Sequence, residues 1–211
     1  SGALYNGEVK KLKTLYLEKN EKNGGAGGFH SGIDVALKNT EANYFWLMDD
    51  DGIPDKKSLE ILQNKTENLT VTNPIVLDID NPKLCSFLKN KKGEQLKFQE
   101  IIQNKISPEI NPFNGTFISR NIIELFGNIL GDMFIWGDEM EFTYRMKKNG
   151  IKLITLLEAK HYHPKNKKNE LIKLPLNIYI RKINNEYFEY VYYRNRIFND
   201  RKYLFSLNGQ F

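Results

Sequence analysis

The chain has 211 residues, 40% of them hydrophobic and 27% charged, and its 31 Lys+Arg against 26 Asp+Glu give a net charge of +5. That length suits one domain with a small appendage and needs no covalent staples, while the composition excludes wholesale disorder. The single cysteine, Cys85, excludes an internal disulfide framework and a Cys-built zinc site, no apolar run approaches a membrane span, and no signal-peptide pattern is visible.

In chain order, Leu12 to Leu17 reads as a short strand. A polar stretch follows, and then the glycine loop Gly24-Gly25-Ala26-Gly27-Gly28. Ile33, Ala36 and Leu37 fall at helical spacing. Tyr44-Phe45-Trp46-Leu47-Met48 is a short, non-alternating apolar run that suits a buried central strand. Asp49-Asp50-Asp51-Gly52 follows at once. Pro54 stands where a first helical turn would begin, with Leu59 and Leu62 on one face. This alternation of strand and helix predicts an α/β fold with a largely parallel sheet.

Further on, Val71 to Ile79 reads as a strand, and residues 89 to 105 as a polar surface excursion. Asn111 to Ser119 is a turn entering a strand, and Asn121 to Phe126 a short helix. Asp138 to Lys148 is a helix with acids in its first turn, Lys147 and Lys148 in its last, and Gly150 as a stop. Ile151 to Leu157 is a strand running into His161-Tyr162-His163-Pro164, and Lys165 to Lys168 a charged loop. The tail from Asn177 is aromatic and basic.

Four features carry candidate chemistry. Three adjacent carboxylates at a strand end repel one another, and a divalent cation removes that cost. Asp49 and Asp51 are therefore candidate ligands for Mg²⁺ or Mn²⁺, with phosphate oxygens completing the shell. The plain alternative is a solvated turn capping the next helix. A calcium loop fits worse, because Ile53 and Pro54 occupy positions that need an acceptor and a glycine. The glycine loop allows close backbone approach to a ligand, but it lacks the ending of a phosphate-binding P-loop. It also fails the dinucleotide fingerprint at His30. Asp138 and Glu139 are either helix-capping acids or a proton acceptor for a hydroxyl nucleophile. His161 and His163 alternate at a strand end, where one imidazole can reach a metal. The mild positive charge suits an anionic partner such as a nucleotide, a diphosphate or an acidic membrane surface, and no basic stripe with interleaved aromatics points to nucleic acid.

The order of these features over residues 12 to 200 resembles the GT-A glycosyltransferases, most closely family 2 enzymes of the galactofuranosyl- and rhamnosyltransferase kind. The matching stretches are Asn23 to Phe29, Trp46 to Asp51, Phe113 to Phe117, Phe134 to Phe142 with Arg145 and Gly150, His163, and Tyr192 to Arg196. The resemblance implies a Rossmann-like GT-A domain, mostly parallel and flanked by helices, over residues 1–165. Residues 166–211 would be a small helical, aromatic extension packing on it. It also implies a nucleotide-base-binding unit that the residues before Asn23 are too few to supply.

The resemblance further implies an inverting, Mn²⁺- or Mg²⁺-dependent transferase moving galactofuranose, rhamnose or a similar sugar from a nucleotide donor. The acceptor would be a hydroxyl of a glycan or lipid-linked saccharide in surface polysaccharide or capsule synthesis. Asp49, Asp51 and His163, with His161 as runner-up, would bind the metal. Asn23, Gly24, Gly25, Gly27, Gly28 and Asp50 would bind the donor, and Phe29, Gly115 and Trp136 the acceptor. Glu139, ahead of Asp138, would be the base. The place of work would be the cytoplasm, at the inner face of the plasma membrane through the basic aromatic tail. Two other readings keep the same residues: a non-catalytic module that binds carbohydrate or a partner, and a phosphotransferase or hydrolase using the acidic metal site.

Overall fold

The computed structural model describes residues 23–90, 93–165, 171–173, 175 and 179–205. The strand expected at Leu12 to Leu17 lies outside them, as does most of the charged loop after Lys165.

The described strands are β1 (Tyr44–Met48), β2 (Ile53–Pro54), β3 (Thr70–Asp78), β4 (Leu84–Lys89), β5 (Gln95–Lys97), β6 (Asn114–Ser119), β7 (Lys152–His163), β8 (Leu171–Lys173) and β9 (Tyr179–Arg181). The helices are α1 (Gly24–Asn39), α2 (Ser58–Lys65), α3 (Phe98–Gln103), α4 (Arg120–Phe126), α5 (Asp138–Lys148) and α6 (Glu186–Asn199), with a π turn over Asp200–Leu204. The fold is α/β, a curled sheet flanked by helices.

The sheet is mixed rather than largely parallel. Strand β3 pairs parallel with β7, while β1–β6, β2–β7, β3–β4, β3–β6 and β4–β5 are antiparallel. Local alternation of strand and helix suggested crossovers between parallel neighbours. Here β1 runs through a tight turn into β2, and its partner β6 comes only after β3, β4 and β5.

All nine residues of β3 are buried, which makes it the centre of the sheet. Pro74 has no N–H to give the ladder, and the β3–β7 register breaks there, with Pro74 opposite Leu156 and Ile75 opposite Lys160. The bulge bends β7 so that its last turnless stretch, ending at His163, runs beside Asp78. The main core gathers Ile33, Val71, Phe113, Ile118, Ile122, Phe142 and Met146 between the sheet and α1, α4 and α5.

Four local expectations are corrected. The glycines are the first turn of α1, not a loop preceding it. β1 is an edge strand among the described residues, with burial alternating along it rather than continuous. Pro54 belongs to β2, an edge where no N–H is needed, and α2 starts only at Ser58. The polar excursion at 89–105 contains β5 and α3, because Ile101 is fully buried against Ile75, Leu77 and Cys85.

Candidate functional site

The acidic turn lies between β1 and β2, closed by the Gly52 N–H donating to Asp49 O at 3.3 Å. Strand β2 pairs with β7 in the register Ile53↔Tyr162 and Pro54↔His161. Continuing that register one step sets Gly52 opposite His163, so the turn is delivered to the end of β7. One ligand atom each from Asp49, Asp51 and His163 lies within 4.8 Å of the others. His163 Nε2 is 2.9 Å from Asp51 Oδ1, and its Nδ1 is 2.7 Å from Pro164 O. Burial raises the Asp49 carboxyl above its usual range; His163 opposes this, while Asp51, Glu139 and Asp50 push it further up. A site with two carboxylates and one imidazole, crowded by further acids, fits a hard divalent cation.

His161 does not join this group. It is fully buried under the turn, and both ring nitrogens lack hydrogen-bond partners. Its pKa is lowered to about 4, first by burial and then by His163, with Asp51 opposing. Its ring occupies space that two glycines leave open. A Cβ on Gly52 would stand 2.2 Å from its Nε2, and one on Gly115 would stand 3.3 Å from its Nδ1.

Across from the turn, α5 begins with Asp138 and Glu139. The Asp138 pKa is pushed up to about 8 by burial, then by the charge of Glu139 and a hydrogen bond shared with it. One Asp138 oxygen, Oδ1, has no partner. Glu139 Oε2 accepts from the Gly137 N–H at 3.1 Å. Glu139 raises the Asp49 pKa and Asp49 raises that of Asp138, so the acidic turn and the start of α5 form one electrostatic centre.

The remaining candidates serve other contacts. Gly24 and Gly27 set the start of α1 against the loop before α5. Ala26 N–H donates to Phe134 O, and a Cβ on Gly24 would stand 2.0 Å from that same oxygen. Asn23 and Gly27 line a groove of about 1030 Å³ together with Met133, Phe134, Arg145 and Asn195, while Gly25 and Gly28 are exposed. Asp50 is exposed at the tip of the acidic turn. Phe29 packs into the core, its ring centroid 4.8 Å from that of Phe113. Gly115, at φ 84°, offers its carbonyl to the Trp46 indole at 3.0 Å. The Trp136 ring lies under the Arg181 guanidinium at 4.5 Å, with the Phe188 and Tyr192 ring centroids 5.7 and 6.3 Å from its own.

Sequence reasoning missed the polar face of α6. Asn195 and Asn199 are buried and donate to backbone carbonyls of residues 133–137. The available signal was the spacing of Val191, Asn195, Asn199 and Tyr203, one residue per turn, all buried. Glu141 was also missed as a network centre. It is buried, bound by Arg145 through Nε and Nη2 and by the Tyr203 hydroxyl at 2.5 Å. Burial alone would raise its pKa, but those hydrogen bonds and the charges of Arg145 and Lys202 bring it below the usual range. Among the described residues no helix is long and apolar enough to cross a membrane.

No family model matches the chain. It is 30% identical over 161 residues, 72% of its length, to galactofuranosyltransferase GlfT1 of Mycobacterium tuberculosis, in strains CDC 1551 / Oshkosh and ATCC 25618 / H37Rv. It is 29% identical over 164 residues to the protein of the same name from Mycolicibacterium smegmatis. These stretches cover 53% and 54% of the relatives, so the chain spans about half the length of the curated relatives it matches. The similarity supports a glycosyltransferase family.

Proposed function

We propose that the chain carries the catalytic centre of an inverting, metal-dependent glycosyltransferase of the GT-A, family 2 type. It would move galactofuranose, or a related sugar such as rhamnose, from a nucleotide diphosphate donor to a saccharide hydroxyl. The observation that carries this reading is the convergence of Asp49, Asp51 and His163 at the sheet edge, opposite the paired acids of α5. The galactofuranosyl donor is favoured by the names of the relatives alone.

In this reading Asp49, Asp51 and His163 hold Mn²⁺ or Mg²⁺. When bound, the cation supplies Lewis-acid neutralisation of the charge that grows on the departing diphosphate. Glu139 is the base: it takes the proton of the acceptor hydroxyl as that oxygen attacks the anomeric carbon from the side opposite the diphosphate. Asp138, buried beside it with a raised pKa, stores a proton and so spares the pair a second buried charge. Trp136 offers an aromatic edge to the acceptor, Asp50 and the Asn23–Gly28 turn flank the donor, and holding both substrates in line supplies much of the rest. The proposed domain division, 1–165 and 166–211, makes the second part a support for the first. A lipid-linked acceptor would place the enzyme at the inner face of a membrane. The exposed Tyr187, Tyr190, Ile197 and Phe205 of the tail agree with peripheral contact.

The test is calorimetric titration of UDP in the presence and absence of Mn²⁺. Mn²⁺-dependent binding by the wild type and its loss in Asp51→Ala are expected. Unchanged binding in that variant overturns the metal assignment. Sugar transfer that survives Glu139→Gln combined with Asp138→Asn overturns the base.

A further inference from the structure

The loop that launches α5 has an unusual backbone. Phe134, Trp136 and Gly137 have φ of 66°, 58° and 101°, in the left-handed region that non-glycine residues enter only when their surroundings enforce it. Helix α6 provides that enforcement. The Asn195 carboxamide is buried, and its Nδ2 donates to three carbonyls: Met133 O at 2.7 Å, Ile135 O at 3.2 Å and Trp136 O at 2.6 Å. One turn later, Asn199 Nδ2 donates to Gly137 O at 2.8 Å.

The amide orientation of Asn195 is itself fixed. Its Oδ1 accepts from Arg194 Nε and Nη2 at 3.0 and 2.9 Å, which leaves only the NH₂ to face the loop. The same Arg194 Nη2 also donates to Asp132 O at 2.6 Å. Contact is close enough that a Cβ on Gly137 would stand 2.9 Å from the Asn195 Cβ and 3.5 Å from Asn199 Nδ2. Four of the five carbonyls of the Met133–Gly137 stretch, all but that of Phe134, therefore accept from two side-chain amides one helical turn apart, and the next two residues are Asp138 and Glu139.

We infer that Asn195 and Asn199 are positioning residues: they clamp the Met133–Gly137 backbone and thereby aim Asp138 and Glu139 at the Asp49 side of the centre. The clamp touches the base only through the backbone, and none of its contacts reaches Asp49, Asp51 or His163. Loosening it displaces the acids while leaving the cation group in place. A displacement of about an ångström is enough to slow a positioned reaction by about a hundredfold. The kinetic consequence rests on the glycosyltransferase reading. The geometric one does not.

Two readouts keep these apart. The chain has two tryptophans, Trp46 and Trp136, so the fluorotryptophan-labelled protein gives one fluorine resonance for each, assigned with Trp136→Phe. In Asn195→Ala the Trp136 resonance is expected to shift and broaden while Trp46 stays. The kcat for sugar transfer is expected to fall by at least about tenfold, with the donor KM held within about threefold. Asn199→Ala, which removes one bond instead of three, is expected to do the same to a smaller extent and serves if Asn195→Ala does not fold. A Trp136 resonance identical to wild type in the folded variants overturns the clamp. So does an equal change in both resonances, which marks general loosening. A shifted Trp136 resonance with unchanged kcat overturns the positioning role. If the wild type transfers no sugar, the glycosyltransferase reading fails, and the resonance still decides the clamp.

Discussion

His163 Nε2 sits 2.9 Å from Asp51 Oδ1, although more than a hundred residues separate them in the chain, because the β2–β7 pairing carries the acidic turn to the end of β7. The imidazole is mostly buried while the Asp51 carboxylate is half exposed, so one partner is fixed and the other adjusts. His163 also offers its second nitrogen to Pro164 O at 2.7 Å, an outer contact of the kind that orients a ligating imidazole. His163→Ala is therefore expected to weaken Mn²⁺ binding by at least about tenfold, read from the free Mn²⁺ signal by electron paramagnetic resonance. Unaltered affinity removes the imidazole from the ligand set.

Asp138 gives a dependence on pH whose sign follows from its environment. Its pKa in the folded chain is pushed up to about 8 by burial and by Glu139. An unfolded aspartate titrates near 4, so between about pH 4 and pH 8 the folded state holds a proton that the unfolded state has lost. Stability then falls as pH rises through that window. Each unit of upward shift corresponds to about 1.4 kcal/mol. Denaturant unfolding in chelator at pH 5 and pH 9 should show Asp138→Asn gaining at least about 2 kcal/mol relative to wild type between the two. Parallel pH profiles for the two proteins would mean that Asp138 titrates normally.

How far these features are legible in the sequence depends on whether they are local. Helix α5 is bounded as its acids, its lysines and Gly150 predict, since those signals act within a turn of each end. Strand β3 is legible from Val71 and Ile75-Val76-Leu77, although its buried Thr72, Asn73 and Asp78 interrupt the apolar pattern. The direction of strand pairing is not: nothing in Tyr44–Met48 specifies that Ser119, not a parallel neighbour, lies opposite Tyr44. The second half of α1 is legible in the spacing of Ile33, Ala36 and Leu37, but its start is hidden because four glycines there disfavour a helix. Gly24 stands at that start because only glycine lets the helix approach Phe134 so closely. Asp49 and Asp51 are legible as an acidic cluster, whereas nothing local to the alternating pair separates His163 from His161. The reason one is buried and the other reaches the turn lies in Gly52 and Gly115, whose packing partners are far away in the chain.

That packing yields a test of how the cation group is supported from below. Gly52 abuts the Nε2 side of the His161 ring, which is fully buried and faces Gly115 on its Nδ1 side. A methyl group at residue 52 would lie 2.2 Å from Nε2 and 2.9 Å from Cε1, closer than atoms can approach. The ring has nowhere to go, so the turn carrying Asp49 and Asp51 must move instead. Gly52→Ala is expected to cost about 1–3 kcal/mol in chemical unfolding, as overpacking does, and to weaken Mn²⁺-dependent UDP binding in step. His161→Ser opens the space that the new methyl needs. In the double variant the two changes should couple by about 1–3 kcal/mol, with UDP binding partly restored. Additive losses would mean that the imidazole does not hold the turn, and that Gly52 is required only for the backbone of the turn itself.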